Sequence, residues 1–396
     1  MSTRESLVGQ QTTAEHPQTM AEHPQTMAEH PQTMAEPDEA RPSSSSGSVS
    51  SSSGNIPSSS GSVPSSSGPS TSTTKLTMVK ALNAGLRKAL ADNPKVLLSG
   101  EDIGALGGVF RATEGLQAEF GADRVIDTPL AESGIVGTAV GLALRGYRPV
   151  VEIQFDGFVY PAFDQIVSQV SRLRFRTHGA LGVPMVIRIP YGGGIGAIEH
   201  HSESPEAYFA HTPGLKVVTC SNPSDAYWMI QQAIADDDPV VFLEPKRRYH
   251  EKGPVDVAAS PPPLYSARVV KQGTDATLLT YGPMVRTCVE AALAAAEEGR
   301  NLEVLDLRSL SPLDDAAVFA SVRRTGRAIV VHEAVGTLGM GAELAARIQA
   351  ECFYELQAPV LRVTGYDIPY PPSRVEDGYL PDLDRVLDAV DRSLAF

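Results

Sequence analysis

The chain has 396 residues, 42% of them hydrophobic and 20% charged, a balance that suits two or three domains with a substantial buried core. Its formal net charge of −14 argues against a nucleic-acid-binding surface, because phosphate affinity comes from clustered Lys and Arg. The best apolar run, 134–144, stops at Arg145 after 11 residues, too few to span a bilayer. The cysteines, Cys220, Cys288 and Cys352, lie 68 and 64 residues apart, which excludes a disulfide framework or a CxxC metal knuckle and fits a reducing compartment. The N-terminal stretch has neither the regions of a signal peptide nor the Arg-rich character of a transit peptide, so the expected location is the cytoplasm.

Residues 1–74 read as a disordered tail. They contain no Phe, Tyr or Trp, three copies of AEHPQTM over 14–34, and 18 serines in the 34 positions from 41 to 74. Such a composition buries too little apolar surface to offset its ordering entropy. Met78, Leu82, Gly85, Leu86 and Ala89 then recur at helical spacing, with Thr77 as N-cap. Strands are predicted at 96–98, 125–126, 150–155, 185–189 and 240–243. A helix rich in Gly and Ala is predicted over 135–144, and another runs from a cap at Asn222 or Ser224 to about Ala235. After a proline-rich linker at 251–266 the alternation restarts, with strands at 277–280, 303–307, 328–331 and 360–363 and helices at 285–298, 341–354 and 383–394. This pattern predicts an α/β protein with two parallel-sheet domains, 75–250 and 267–396, each sheet covered by helices on both faces.

Several motifs are weighed against plainer readings. Gly192, Gly194 and Ala197 match G-x-G-x-x-A after a strand, but no capped helix follows at once, so a flexible loop is the better reading. There is no P-loop, nucleophile elbow or HExxH. His200, His201 and His211 lack a carboxylate or cysteine at familiar zinc-ligand spacing. Asp236, Asp237 and Asp238 read as a polar helix-to-strand turn, and His332 as a surface or interface histidine. Two features stay open. Glu132, in TPLAESG, follows a strand at the mouth of the small-residue helix, where the helix dipole favours a carboxylate; from position alone a plain capping residue is the better reading. His201 lies in a glycine-rich loop after a strand, where α/β proteins bind ligands.

Taken together, LLSGEDIGALGGVFR, RVIDTPLAESGIVGTAVGLAL, EIQFDGFVYPAFDQI, HHSESPEAYFAHTPGLKVV and DPVVFLEPKRRYH resemble the beta subunit of thiamine-diphosphate-dependent 2-oxo acid dehydrogenases, and so do YGPMV, LEVLDLRSLSPLD, GRAIVVHEA and APVLRVTGYDIPYP. The resemblance runs from about Lys75 to Phe396. GGVFR, EIQFDGFVYPAFDQI, HSESPEA and GYDIPYP are more similar to the branched-chain type than to the pyruvate type. The resemblance implies a transketolase-type pyrimidine-binding domain followed by a transketolase C-terminal domain. It also implies half an enzyme: the GDG motif that holds the diphosphate and its magnesium (Mg2+) is absent here and belongs to an alpha subunit. Thiamine diphosphate is then shared across an alpha–beta interface in an α2β2 heterotetramer, which delivers its acyl group to the lipoyl arm of an acyltransferase core.

The same resemblance implies roles for individual residues. Glu132 bonds the distant ring nitrogen of the aminopyrimidine, favouring the tautomer that takes the thiazolium proton. Leu130 packs on the pyrimidine, Gln154 bonds nearby, and Phe158 packs where the mitochondrial branched-chain enzymes carry Tyr. His201, before Ser202 as in the family's HS pair, stabilises the developing oxyanion or moves protons, chiefly in acyl transfer. Potassium (K+) is implied at the main-chain carbonyls of Val183, Met185 and Val186 on one stretch and Ala233, Asp236 and Asp238 on the other. The implied activity is oxidative decarboxylation of 2-oxoisovalerate-type substrates. Pyruvate or acetoin is the nearest alternative. A docking-only subunit is disfavoured because Glu132 and His201 are both present, and a self-sufficient transketolase because there is no GDG motif.

Overall fold

A computed structural model describes residues 73–396. The tail reading over 1–74 lies outside the described residues except for its last two. Those two are corrected: Thr73 and Thr74 open a strand.

In chain order the strands are β1 (Thr73–Thr77), β2 (Val96–Gly100), β3 (Val125–Asp127), β4 (Arg148–Glu152), β5 (Val186–Tyr191), β6 (Lys216–Thr219), β7 (Val240–Pro245), β8 (Lys252–Asp256), β9 (Arg268–Lys271), β10 (Ala276–Thr280), β11 (Leu302–Asp306), β12 (Ser309–Ser311), β13 (Ala328–Val335) and β14 (Leu361–Gly365). Central strands such as β2, β5 and β7 are buried throughout and mostly apolar rather than alternating, and the charges within β5 and β7, Arg188 and Glu244, form a buried ion pair.

The first sheet has the order β12-β6-β7-β5-β4-β2-β3. Its members pair in parallel except β12, which joins β6 antiparallel. The chain enters β2, crosses to β3 on one side, and returns to β4 on the other. That reversal opens a crevice at the carboxyl ends of β2 and β4, where open α/β sheets bind ligands. The second sheet has the order β14-β13-β10-β11-β9 and is parallel except for β9. β1 and β8 form a separate antiparallel ribbon. β8 therefore occupies part of the segment expected to be a linker; a two-stranded ribbon has only edges, and edges tolerate Pro254. β12 lies in the second half of the chain yet pairs in the first sheet, so the two domains share a strand contact.

Helices Met78–Asp92 and Pro223–Ala235 pack together on one face of the first sheet, with Gly85 allowing Tyr227 and Ile230 to approach closely. The Thr77 side chain caps the first of these helices and Asn222 the second. On the other face, helix Glu132–Leu144 buries Ile135, Val136, Ala139 and Ala143 at helical spacing. This core continues into the second domain through Leu279, Leu305 and Val330. His332, expected at a surface or an interface, is fully buried within the chain, because β13 is covered on both faces. Its Nδ1 faces the carbonyl of Ala334 at 3.1 Å and its Nε2 accepts the Gly341 N–H at 3.0 Å. Burial pushes its pKa down to about 4. Among the described residues no helix is long and apolar enough to cross a membrane.

Candidate active site

The crevice is built from strand ends. β2 delivers Glu101, whose side chain is buried and whose Oε1 has no hydrogen-bond partner among the described residues. Burial raises the Glu101 pKa above its ordinary value, and the neighbouring charge of Glu132 raises it further. Glu132 is buried and is the first residue of helix Glu132–Leu144. It does not occupy the capping position, which falls to Ala131. Two carboxylates therefore share one crevice beside a helix N-terminus. Glu101 lies in no motif, and its one signal in the sequence is an acidic residue directly after a short apolar strand.

Leu130 lies two residues before Glu132 and is 79% exposed. An apolar side chain held in water beside two acids is unusual, and it offers packing surface to something beyond this chain. β4 leads to Gln154, whose Nε2 lies 3.4 Å from both the Glu101 carbonyl and Asp102 Oδ2. Gln154 thus stands across the crevice from Glu101.

Beyond Gln154 an aromatic cluster holds His201. The Phe155 ring centroid is 4.2 Å and the Phe158 centroid 5.1 Å from that of His201. Gly157 makes this approach possible, since a Cβ there would stand 2.3 Å from the His200 carbonyl oxygen. His201 Nδ1 is buried without a partner among the described residues. Burial lowers the His201 pKa below its ordinary value, and His200 and Lys246 lower it further, so the ring is neutral at pH 7. Behind the ring, Lys246 from the end of β7 forms a fully buried ion pair with Asp156, whose Oδ2 also accepts the Glu203 N–H at 2.6 Å. His200 is more exposed, and its ring lies 4.4 Å from that of His201.

The carbonyls implied for potassium come from two stretches that do lie side by side, flanking the starts of β5 and β7. The Met185 carbonyl already accepts the Val240 N–H, Ala233 that of Asp236, and Asp236 a 2.8 Å bond from Arg148. Lys216 faces the carboxylates of Asp236 and Asp238, and Arg174 also pairs with Asp238. Each of these carbonyl oxygens has two lone pairs, so a single accepted bond leaves one open to a cation. The aspartates behave as the polar turn that their sequence suggested. Among the described residues no cluster of three His, Cys, Asp or Glu side chains is placed to hold a metal ion.

Comparison with known proteins accords with this layout. Residues 74–252 match the transketolase pyrimidine-binding domain family and residues 266–386 the transketolase C-terminal domain family. The chain is 61% identical over 328 residues to the pyruvate dehydrogenase E1 component subunit beta of Leifsonia xyli subsp. xyli, covering 83% of this chain and 97% of that one. It is 57% identical over 326 residues to the 3-methyl-2-oxobutanoate dehydrogenase subunit beta of Mycobacterium tuberculosis, covering 82% and 94%. It is 46% identical over 332 residues to the 2-oxoisovalerate dehydrogenase subunit beta of Pseudomonas aeruginosa, covering 80% and 94%. A solved split-gene transketolase, an inactive beta4 tetramer, superposes with a TM-score of 0.67 at 22% identity over 81% of this chain and 98% of that one, a likeness of fold. With two family domains in order and relatives this similar over nearly their whole length, the chain belongs to the beta subunits of the 2-oxo acid dehydrogenase E1 component.

Proposed function

We propose that this chain is the beta subunit of the decarboxylating component of a branched-chain 2-oxo acid dehydrogenase, working with an alpha subunit on 2-oxoisovalerate-type substrates. The observation that carries the reading is the half-built crevice: paired buried carboxylates, Glu101 and Glu132, beside an exposed Leu130. The crevice suits thiamine diphosphate: Glu132 would bond the pyrimidine nitrogen, Leu130 and Phe158 would pack on the ring, and Gln154 would bond nearby. When bound, the cofactor supplies a nucleophilic carbon that adds to the 2-oxo group and holds the electron pair left when carbon dioxide departs. The chain's own residues manage protons and water around that event. Glu132 would exchange a proton with the pyrimidine nitrogen, and its place in the first turn of the helix favours the carboxylate that accepts it. The orphaned Oε1 of Glu101 faces the same proton traffic. The neutral ring of His201 can accept or donate a proton at the acyl oxygen, and Phe155 and Phe158 exclude water around it.

The alpha subunit, with the diphosphate and Mg2+, would sit over Leu130 and the open side of helix Glu132–Leu144. Along that side Ser133, Gly134, Thr138, Gly141 and Leu144 are exposed, a small and largely apolar face. The acyl group would pass to a lipoyl-bearing acyltransferase.

The branched-chain assignment is supported by GGVFR, EIQFDGFVYPAFDQI, HSESPEA and GYDIPYP. Pyruvate is the second reading, favoured by the 61% identical relative. Dye reduction by the complex purified through this chain, with thiamine diphosphate and Mg2+ supplied, separates them. The expected result is a strong preference for 2-oxoisovalerate. Preference for pyruvate would move the chain to the sister specificity, and inactivity on both with the alpha subunit present would turn attention to acetoin or to a docking role.

A further inference from the structure

His201 sits on the returning limb of a loop whose neck is closed by a 2.8 Å bond from the Gly192 N–H to the Glu203 carbonyl. The outgoing limb is glycine-rich, and Gly192, Gly194 and Gly196 have φ of +84°, +81° and +72°. Such a segment loses more conformational freedom on ordering than any other residue type would. It nevertheless makes a regular set of hydrogen bonds with the second domain.

Glu333, near the end of β13, accepts the Gly193 N–H at Oε1, and its Oε2 lies 3.0 Å from Arg247. Glu376, in the short helix Glu376–Tyr379, accepts the Gly196 N–H at 2.8 Å on Oε1. On Oε2 it accepts the Gly194 N–H at 3.3 Å and the Tyr370 hydroxyl at 2.7 Å. The Gly194 N–H also reaches the Tyr370 oxygen at 3.1 Å. Both carboxylates are buried. The fit leaves no room for a side chain, since a Cβ on Gly193 would stand 2.0 Å from the Tyr370 hydroxyl oxygen. Hydrogen bonds from backbone N–H groups to a buried carboxylate are among the stronger kinds. Two carboxylates here hold three donors of one limb, those of Gly193, Gly194 and Gly196, while the other limb presses His200 and His201 onto Gly157 and Phe158.

We propose that Glu376, assisted by Tyr370 and Glu333, is a positioning residue for His201: the second domain grips the glycine loop and thereby fixes where the imidazole stands in the first domain's crevice. This rests on the reading of His201 as catalytic. The second domain then contributes to the chemistry itself, although no side chain of it needs to touch the substrate. A small displacement of a proton-transferring group is enough to slow a reaction severely.

The test uses the assembled complex and compares Glu376→Ala, Tyr370→Phe, His201→Ala and the double variant Glu376→Ala/His201→Ala. The overall lipoyl-dependent reaction is followed, with amide hydrogen exchange on the peptide containing Gly193 to Gly196. Glu376→Ala is expected to lower kcat about tenfold with KM for the 2-oxo acid little changed, and to speed exchange in the loop. Tyr370→Phe, which removes the hydroxyl's bonds to Glu376 and Gly194 but leaves the carboxylate on the loop, should lose a smaller factor, about threefold. In the His201→Ala background, Glu376→Ala should cost nothing further, because it acts through the imidazole. A merely structural role would instead add its full cost in that background, and such additivity overturns the proposal. If His201→Ala abolishes turnover while Glu376→Ala leaves it intact, the positioning role falls and the catalytic reading stands. If His201→Ala leaves turnover intact, the catalytic reading falls and takes the proposal with it.

Discussion

The phenol of Tyr281, in the second domain, donates a 2.7 Å hydrogen bond to Oε1 of Glu206, in the first, while Oε2 of Glu206 is buried without a partner among the described residues. Burial pushes the Glu206 carboxyl up to about 7, and the protonated acid suits this environment better than the carboxylate. A group whose folded pKa is raised contributes stability that is fully present below its ordinary pKa and is lost as pH rises through the folded value. Between pH 5 and pH 8 the wild-type complex should therefore lose thermal stability across this contact. Glu206→Gln keeps an acceptor for Tyr281 but cannot ionise. Its melting temperature should gain on wild type as pH rises, by an amount equivalent to on the order of 2 kcal/mol at pH 8. Parallel melting curves for the two proteins across that range would remove Glu206 as the titrating group.

Asp156 and Lys246 pose the opposite problem. Burial pushes the Asp156 carboxyl up to about 6 despite the ammonium beside it, and pushes Lys246 below its ordinary value despite the carboxylate. Both shifts say that desolvation outweighs the attraction. The pair is thus costly to break and of little value compared with a neutral replacement. Lys246→Met alone should destabilise by about 3–5 kcal/mol, because it strands a buried carboxylate. Adding Asp156→Asn should restore most of that loss. Thermal inactivation of the single and double variants decides the matter, and a double variant no better than the single would show that the charges themselves stabilise.

The parallel cores are legible in the sequence because strands covered on both faces need apolar runs, as at 96–98 in β2 and 240–243 in β7; the charges that do enter these strands, Arg188 in β5 and Glu244 in β7, are paired with each other. The strands that escape the reading are those whose burial is incomplete or borrowed. β6, with sequence KVVT, offers too short an apolar run. β12 is a three-residue piece whose strand character comes from pairing with a sheet built elsewhere in the chain. Helix Asp315–Thr325 is a different kind of omission, since Asp314 caps it and Val318 and Val322 stand at helical spacing. Glu132 and His201 stand out because each sits where a strand gives way to a helix or a glycine loop. Glu206, Glu333 and Glu376 do not, because their meaning lies in partners far away in sequence, and no local pattern encodes a carboxylate that crosses a domain boundary.

His201 and His200 give a prediction in pH. Burial, His200 and Lys246 all lower the His201 pKa, so its protonation on the acid side removes the neutral ring below the ordinary histidine value. If the acid limb of the overall reaction reports this ring, His200→Gln should move the limb to higher pH by removing one source of positive charge. Turnover at pH 8 should stay near wild type, because the ring is neutral there in both proteins. A limb that stays in place after His200→Gln would assign it to another group.

The last prediction concerns the paired carboxylates. Glu132→Gln is close to isosteric and keeps a hydrogen-bonding group toward the pyrimidine, but it can no longer share a proton with the ring nitrogen. General acid–base contributions of this kind are worth roughly 10²–10⁴-fold. The assembled Glu132→Gln complex should therefore lose at least about a hundredfold in 2-oxo acid-dependent dye reduction, with assembly preserved. Glu132→Asp keeps the chemistry at a shorter reach and should fall between the two. Glu101→Gln is the informative companion, because it removes the charge that Glu132 repels while leaving Glu132 itself in place. If Glu132 alone carries the proton exchange with the cofactor, Glu101→Gln should retain more activity than Glu132→Gln at every pH. A loss of equal size in both would make the pair, rather than Glu132, the unit that titrates and works.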